Sequence, residues 1–261
     1  MLKGRSISSG VAEGTVLKLN DAFSFLGGVD GSTGELRTEE KGNIGGKIFV
    51  FPRGKGSTVG SFTMYDLKVH GKNPAAVVNQ NAETIVATGA VISSIPMIDR
   101  IDVDLIQNGD RMIVDGTNGT AELPDVKMIE TSSSAILVKE KVLMLKRPIT
   151  ARSFPGRWSL VTGKLEKGED PEQTAVREIM EETQITVGKP VAKLDPMFVR
   201  EKDTIWKVNT FLFTLDSAKP VLNKENEEFR WVSPEDIHSP ESVSQTREAV
   251  KRLLEKVQFT N

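Results

Sequence analysis

The sequence predicts a two-domain protein of the mixed α/β class in a chain of 261 residues. The first half is rich in glycine and carries short β-type runs, whereas strands and longer amphipathic segments alternate from Ala135 onward. Between the halves, residues 124–133 combine a proline with threonine and serine, which is typical of a linker. Domains of this size are ordinary, and we therefore place them at residues 1–123 and 134–261.

Composition excludes several classes of protein. The net charge is −2, with 12 basic and 14 acidic residues up to position 124 and 22 of each beyond it, so neither half has the basic excess of a nucleic-acid-binding domain. The absence of cysteine excludes disulfides and an iron–sulfur cluster bound by this chain itself. No apolar run approaches the roughly 20 residues of a membrane span, and no apolar signal core follows Met1. We therefore expect a cytoplasmic protein with no nucleic acid or membrane partner.

Short elements follow one another in the first half. Strands are expected at residues 46–51 and 111–115, and the second ends in a turn with two glycines. Helices are expected around residues 61–70 and 81–88. The result is a small mixed domain.

A glycine-rich loop, residues 54–61, follows the first of these strands. Glycine lets the backbone approach a ligand, and a helix that begins there directs amides at an anion. The loop is not a Walker A motif, because Lys55 is not followed directly by serine or threonine and the four-residue spacer from an upstream glycine is missing. An ordinary glycine-rich turn is the alternative. The candidate substrate-binding residues here are Arg53, Lys55 and Gly56.

Four segments of the first half carry a specific pattern: residues 24–30, 51–61, 73–76 and 95–96. Together they resemble the small subunit of the aconitase X family, which includes phosphomevalonate dehydratase, over nearly all of residues 1–123. The resemblance implies a swivelling β/β/α domain that closes over a larger, separate subunit bearing the iron–sulfur cluster. Gly31 departs from the proline expected there, which loosens a loop but removes no chemical group.

The same resemblance implies that Ser57 is a general base, which removes a proton from the carbon next to a carboxylate. A serine hydroxyl is a poor base in water and needs neighbouring positive charge or backbone N–H groups. Arg53, Lys55 and the glycine amides are the expected source of both. Ser61 is the alternative base, and we favour Ser57.

The second half opens with a predicted antiparallel hairpin, residues 135–138 and 142–145, joined by three charged residues. Further elements are expected as strands at residues 158–161, 205–215 and 229–232, a helix start at 233–236 and a helix within 242–257.

Residues 163–185 run from a loop into a helix. Asp170 is suited to the N-cap and Pro171 to the first helical position, while Gln173 completes a capping box. On a helical wheel Met180 belongs to the packing side, and the glutamates belong to the opposite, charged side.

Three of these glutamates, Glu178, Glu181 and Glu182, crowd one face near the end of the helix. Like charges at these spacings repel, and the helix dipole disfavours anions at a C-terminus. Oxygen ligands gathered on one face are what Mg²⁺ or Mn²⁺ binds together with substrate phosphates. A solvated acidic face is the alternative explanation.

The spacing around the glutamates is specific. Seven positions are in register: Gly163, Glu169, Arg177, Glu178, Glu181, Glu182 and Ile185. They resemble the Nudix box of hydrolases that cleave nucleoside diphosphates linked to another moiety, and the resemblance implies an α/β/α sandwich. Gln184 stands where that family has glycine, and a left-handed turn there costs roughly 1 kcal/mol.

The resemblance implies Mg²⁺- or Mn²⁺-dependent hydrolysis of a phosphoanhydride by water, with Glu178, Glu181 and Glu182 as metal ligands. Glu181 and Glu182 are also catalytic candidates, Arg177 is expected to orient a glutamate, and Lys164 is expected to bind substrate. The base is a glutamate of the box or one of three others: Glu225, Glu227 and Glu228.

Three arrangements follow. In the first, the chain is a bifunctional fusion that hydrolyses a diphosphate-containing small molecule and serves as a dehydratase small subunit. Alternatively, only the dehydratase half works, with a separate iron–sulfur large subunit, and the Nudix half is a binding module. In the third arrangement, the first half regulates the hydrolase or presents its substrate and has no large subunit. The fusion suggests isoprenoid metabolism.

Overall fold

The computed structural model describes residues 1–238, 241–243 and 245–258 and divides into two compact units, Met1–Lys127 and Met128–Asn261. Each unit combines a sheet with helices, which confirms the predicted mixed α/β class. Within the described ranges, every helix is too short or too polar to cross a membrane.

The first unit is a mixed sheet with crossover helices. Its strands are β1 (Leu2–Lys3), β2 (Arg5–Ser8), β3 (Val11–Lys18), β4 (Ile48–Arg53), β5 (Ala76–Asn81), β6 (Met97–Asp99), β7 (Arg111–Asp115) and β8 (Thr120–Glu122). Its helical segments are α1 (Phe25–Gly28), α2 (Val59–Val69), α3 (Thr84–Ile92) and a 3₁₀ turn at Val103–Leu105. The sheet order is β1-β8-β7-β3-β4-β5-β6-β2, and the strands from β3 to β6 run parallel. Helices α2 and α3 therefore connect successive parallel strands.

Aromatic packing fixes the centre of this unit. The ring of Phe23 meets those of Phe25, Phe49 and Phe51 edge to face, with centroids 5.0–5.5 Å apart, and all four side chains are buried. Such pairs stabilise a core beyond the area that they bury. Because β4 carries two of these rings, the loop after it leaves the sheet from a fixed point.

The second unit is a predominantly antiparallel sheet with a helix on each face. Its strands are β9 (Lys127–Val138), β10 (Lys141–Lys146), β11 (Trp158–Ser159), β12 (Val161–Lys164), β13 (Ala192–Lys193), β14 (Met197–Glu201), β15 (Thr204–Leu215) and β16 (Glu228–Val232). Its helices are α4 (Pro171–Thr183), a 3₁₀ turn at Pro234–Asp236, and α5 (Thr246–Gln258). The main path is β11-β10-β9-β15-β13, with β12 paired to β9, β14 to β15 and β16 to β10.

Two separate apolar clusters cover the two faces of this sheet. Ala175 and Ile179 of α4 pack with strand residues such as Ile136. Val250 and Leu253 of α5 pack against the opposite face. Successive strand residues point to opposite faces, so one sheet supports both helices, and the predicted α/β/α sandwich is confirmed.

The predicted linker at residues 124–133 differs from the structure, because residues 127–133 form the first half of β9. The backbone from Thr131 to Ser134 pairs with β12. Two of the serines are hydrogen-bonded inside the sheet: Ser132 Oγ donates to the Pro171 carbonyl at 2.6 Å, and Ser133 Oγ accepts from Thr162 Oγ1 at 3.1 Å. Ser134 Oγ is buried without a partner among the described residues. Strand pairing therefore overrides a serine-rich composition that is typical of loops.

The C-terminal helix begins at Thr246, four residues after the start of the predicted segment, 242–257. Ser242 forms a bridge with Trp158, and the amide of Val243 donates to the Trp158 carbonyl at 2.8 Å. These bonds hold the segment at the sheet edge, so α5 begins only at Thr246. The predicted helix start at 233–236 is a single 3₁₀ turn.

The end of α4 keeps the left-handed turn that favours glycine, although Gln184 occupies it. This residue is the C-cap and is left-handed, with φ 55° and ψ 20°. We expect Gln184→Gly to raise the free energy of unfolding by about 0.5–1 kcal/mol, because glycine adopts this conformation without strain. Urea unfolding followed by circular dichroism measures the change. Lys251→Gly, inside helix α5, is the control and is expected to lower stability by about 1 kcal/mol.

Candidate active site

Helix α4 begins where the sequence predicts, because a capping box holds its first turn. The Asp170 carboxylate accepts from the amides of Glu172 at 2.9 Å and Gln173 at 3.0 Å. The Gln173 side chain accepts from the Asp170 amide at 3.1 Å. Reciprocal bonds of this kind satisfy amides that the helix leaves free, so the register of the glutamates further along is set.

Arg177 is the centre of the ionic network on α4. Its guanidinium donates two bonds to Glu169, at 2.8 and 3.0 Å, and single bonds to Glu178 at 2.7 Å and Glu181 at 3.1 Å. It also reaches the Lys164 carbonyl at 3.2 Å. The bonds from Arg177 lower the pKa of Glu169 to about 2. Arg177 thus joins the loop before the helix to the acidic cluster, as expected for a residue that orients glutamates.

Glu182 is a buried carboxylate, with 5% of its surface exposed. Asn226 Nδ2 donates to its Oε2 at 2.7 Å. Burial raises the pKa of Glu182 to about 8, the charges of Glu178 and Glu225 add to the rise, and the Asn226 bond and the charge of Arg147 oppose it. Burial also raises the pKa of Glu178. A carboxylate held in this way is destabilised as an anion until a positive charge joins it.

Position 163 has no room for a side chain. A Cβ atom on Gly163 would lie 1.8 Å from Cδ and 1.9 Å from Oε1 of Glu178. Its backbone lies outside the left-handed region, so conformational freedom is not what the position needs. The glycine of the motif therefore makes room for a carboxylate beside β12.

The helical wheel misplaced two residues of α4. Met180, assigned to the packing side, is 41% exposed, whereas Glu182, assigned to the charged side, is buried. The reason is the segment after α4: the Val221 amide donates to the Thr183 carbonyl at 2.8 Å, and Asn226 covers Glu182. Residues 221–226 are distant in sequence from α4, so the periodicity of the helix cannot predict that they cover it.

The three predicted metal ligands are not gathered into a ready cage. Among the described residues, no three His, Cys, Asp or Glu side chains converge closely enough to hold a metal ion by themselves. The carboxylates of Glu178 and Glu181 accept hydrogen bonds from Arg177, whereas that of Glu182 is buried and accepts from Asn226. The donor chemistry nevertheless fits a hard divalent cation, because the ligands are carboxylate oxygens and two of them have a raised pKa through burial.

The three candidate bases occupy different environments. Glu225 is exposed, and its charge contributes to the raised pKa of both Glu178 and Glu182. Glu227 and Glu228 lie instead along β10, where the Glu227 amide bonds to the Lys146 carbonyl and Glu228 lies 3.6 Å from Lys146 Nζ. Only Glu225 of the three is linked electrostatically to the acidic cluster in the described part of the chain.

A cavity of about 260 Å³ opens beside Gly163 and Lys164. Its wall includes Trp206 and Thr210, which lie on one face of β15, and Arg147. Trp206 Nε1 and Thr210 Oγ1 are buried and have no hydrogen-bond partner among the described residues. Trp206 and Thr210 were not among the predicted site residues, although alternation along residues 205–215 places every second side chain on one face.

The glycine-rich loop of the first unit presents Ser57 to solvent. Within the described residues, Ser57 Oγ is exposed and has one hydrogen bond, a long one of 3.4 Å that it accepts from the Val59 amide. Ser61 is 8% exposed, and its hydroxyl donates to the Thr58 carbonyl at 2.8 Å. Gly56 is left-handed at φ 115°, and a Cβ there would lie 2.6 Å from Ser24 Oγ. The hydroxyl of Ser57 is therefore accessible to a ligand, whereas the hydroxyl of Ser61 is buried and already hydrogen-bonded.

Arg53, directly before this loop, and Lys55, within it, have exposed side chains. Arg53 ends β4, where it pairs with Asn81 of β5. The Lys55 amide donates to the Phe23 carbonyl at 2.9 Å. The backbone of the loop is thus anchored to the aromatic centre, while its charges remain available.

The fold and the two sites define a two-domain protein that joins a swivel domain to a Nudix domain. The family model described as "Aconitase X swivel domain" matches residues 1–123, and the one described as "NUDIX domain" matches residues 128–253. The phosphomevalonate dehydratase small subunit of Thermococcus kodakarensis is 51% identical over 126 residues, which cover 47% of this chain and 95% of that protein. The chain belongs to the phosphomevalonate dehydratase small-subunit family through its first half, and its second half is a NUDIX domain.

Solved structures resemble each half separately. A chain of the crystal structure of Thermococcus kodakaraensis aconitase X (holo-form) is 51% identical, with a TM-score of 0.46, and the match covers 47% of this chain and 96% of that one. The crystal structure of a MutT protein from Methanosarcina mazei is 24% identical, with a TM-score of 0.46, over 51% of this chain and 96% of that one.

Proposed function

We propose that the second unit hydrolyses a phosphoanhydride bond in a nucleoside diphosphate derivative and that the first unit acts as a dehydratase small subunit. One observation carries the hydrolase proposal. The largely buried carboxyl of Glu178 lies against Gly163, Glu182 is buried four residues further along the same helix, and Gly163 borders a cavity large enough to receive part of a small molecule.

Residues of this chain perform distinct tasks in the proposed hydrolysis. Arg177 holds Glu178 and Glu181 in place through charge-assisted bonds. A divalent cation, Mg²⁺ or Mn²⁺, held by Glu178, Glu181 and Glu182 would offset the charge of the diphosphate and acidify the attacking water. Glu225 is the proposed base. It is exposed and close enough to the cluster to act on the pKa of its members.

The polar groups in the cavity wall favour a nucleotide as the substrate over an isoprenoid diphosphate. An aliphatic tail would leave Trp206 Nε1 and Thr210 Oγ1 buried and unbonded, as they are in the structure, whereas a hydrogen bond to each would remove a penalty of about 1–3 kcal/mol. A ring with hydrogen-bonding atoms would offer a partner to both groups. Lys164 Nζ, 5.6 Å from the Trp206 ring centroid, and Arg147 at the cavity wall are the proposed phosphate contacts.

A substrate screen tests this proposal. Purified protein with Mg²⁺ or Mn²⁺ is incubated with ADP-ribose, nucleoside triphosphates, dinucleoside polyphosphates and isoprenoid diphosphates, and phosphate products are measured. Nucleotide turnover is the expected result, and turnover of isoprenoid diphosphates alone would contradict the assignment of the cavity. Calorimetry with each metal gives a readout independent of activity. Failure of both metals to bind would favour a binding module over a hydrolase.

The indole N–H of Trp206 is expected to determine substrate affinity. Trp206→Phe keeps an aromatic ring but removes the donor, so we expect KM for the nucleotide substrate to rise about tenfold, with kcat nearly unchanged. Steady-state kinetics measure both constants. Phe198→Leu, on a side chain that is 37% exposed and absent from the cavity wall, is the control. An unchanged KM for Trp206→Phe would contradict the proposed hydrogen bond between the indole N–H and the substrate.

The dehydratase proposal rests on the first unit as a whole. Its similarity to phosphomevalonate dehydratase small subunits extends over 93–98% of the length of several of them, and its proposed base is exposed on an anchored loop. We propose that it acts with a separate large subunit that bears the iron–sulfur cluster.

Two serine variants test the base. With the large subunit present, Ser57→Ala is expected to lower the rate of phosphomevalonate dehydration by at least about 100-fold. Ser61→Ala is expected to change it less than about threefold, since that hydroxyl is already bonded within the helix. Product formation followed by mass spectrometry measures both rates. A larger loss of rate in Ser61→Ala than in Ser57→Ala would indicate that Ser61 is the base.

A further inference from the structure

We propose that the outward face of helix α2 is the docking surface for the large dehydratase subunit, an inference that rests on the proposed function of the first unit. The face is formed by Phe62, Tyr65 and Val69, which are 68%, 50% and 65% exposed. Their spacings of three and four residues place them on one side of the helix, within a narrow arc.

Helix α2 is apolar on both of its sides. Gly60, Met64 and Leu67 are buried against the unit, and the outward face lies opposite to them. A surface helix normally carries a single apolar stripe, which faces the core, and polar residues on the opposite side. Here one side packs against the sheet and α3, and the other side carries two aromatic rings in solvent.

The exposed apolar residues of the chain concentrate on this helix. Among the described residues, large hydrophobic side chains that are exposed number sixteen, and four of them lie within Val59–Val69. Single exposed apolar residues are normal, whereas contiguous ones mark interaction surfaces. Aromatic side chains are also the commonest anchors of protein interfaces.

The position of the face identifies its occupant. Ser57 lies immediately before α2 and is exposed, so whatever encloses its substrate must lie against the beginning of this helix. The relatives that match this unit over nearly their whole length are named small subunits, and that name implies a larger partner. Arg53 and Lys55 beside the loop and Asp66 at the edge of the apolar face supply the polar rim of an ordinary interface.

A binding measurement with the full chain tests the proposal. The probe is the purified aconitase X-type large subunit from the same organism, and the dissociation constant is measured by calorimetry. We expect the double variant Phe62→Ser, Tyr65→Ser to bind about 100-fold or more weakly than the parent chain, because both anchors are lost. The matched control is Val91→Ser, Ile92→Ser, on α3 of the same unit, where both residues are about half exposed. It is expected to bind within about threefold of the parent chain.

The outcomes separate this inference from the proposed function. If the parent chain and the double variant bind equally, the docking surface is wrong while the small-subunit function stands. If the parent chain does not bind, both fail. If the parent chain forms dimers that the double variant lacks, the face serves a second copy, and the proposal is overturned. Circular dichroism and melting temperature confirm folding, and the single variant Phe62→Ser serves if the double variant unfolds.

Discussion

Glu182→Gln is expected to lower kcat for the nucleotide substrate by at least about 100-fold, the scale on which acid–base and metal-supporting groups act. The substitution keeps the shape of the side chain and its bond with Asn226, but it removes the charge that would hold a cation. Steady-state kinetics with Mg²⁺ measure the loss, and calorimetry measures the accompanying loss of metal affinity. An unaffected kcat would contradict the role of Glu182.

Stability provides a second readout for the same variant. Burial raises the pKa of Glu182 from 4.5 to about 8, so the folded state binds this proton more tightly than the unfolded state does. In metal-free protein its contribution to stability is therefore full below about pH 4.5 and is lost as the pH rises through 8. Glu182→Gln should remove this decline. Glu172→Gln in the first turn of α4 should leave both the decline and kcat unchanged.

Gly163→Ala is expected to reduce hydrolysis by about 100-fold or more, because the added methyl group would overlap the Glu178 carboxyl at 1.8 Å and a misplaced catalytic group costs about that much. The side chain of Glu178 must move, and its bond with Arg177 must be remade or lost. Kinetics with the same substrate measure the effect, and a crystal structure of the variant shows where the carboxyl goes.

The matched control for this substitution is Gly188→Ala. A Cβ atom at Gly188 would meet nothing within 4 Å, and its backbone is not left-handed. We therefore expect the control to retain full activity. Equal activity of the two variants would show that the space beside Glu178 does not limit the reaction.

Local signals predicted much of this molecule because they act within a few residues. The N-cap of α4 at Asp170 and the antiparallel hairpin of β9 and β10 both follow from neighbouring side chains and short turns. Where the prediction failed, a distant segment decided the outcome. The serine-rich stretch became part of β9 because β12 pairs with it, and α5 begins late because Trp158 holds the chain before it.

The sequence by itself determined the two families and the spacing of the glutamates, because a motif is a property of consecutive residues. Only the tertiary structure decided which of those residues are buried. Glu182 is enclosed because residues 221–226 return over α4. Gly163 matters because another element brings Glu178 against it, and Trp206 and Thr210 meet the same site from β15. Burial and contact arise between segments far apart in the chain, and no local pattern of residues encodes them.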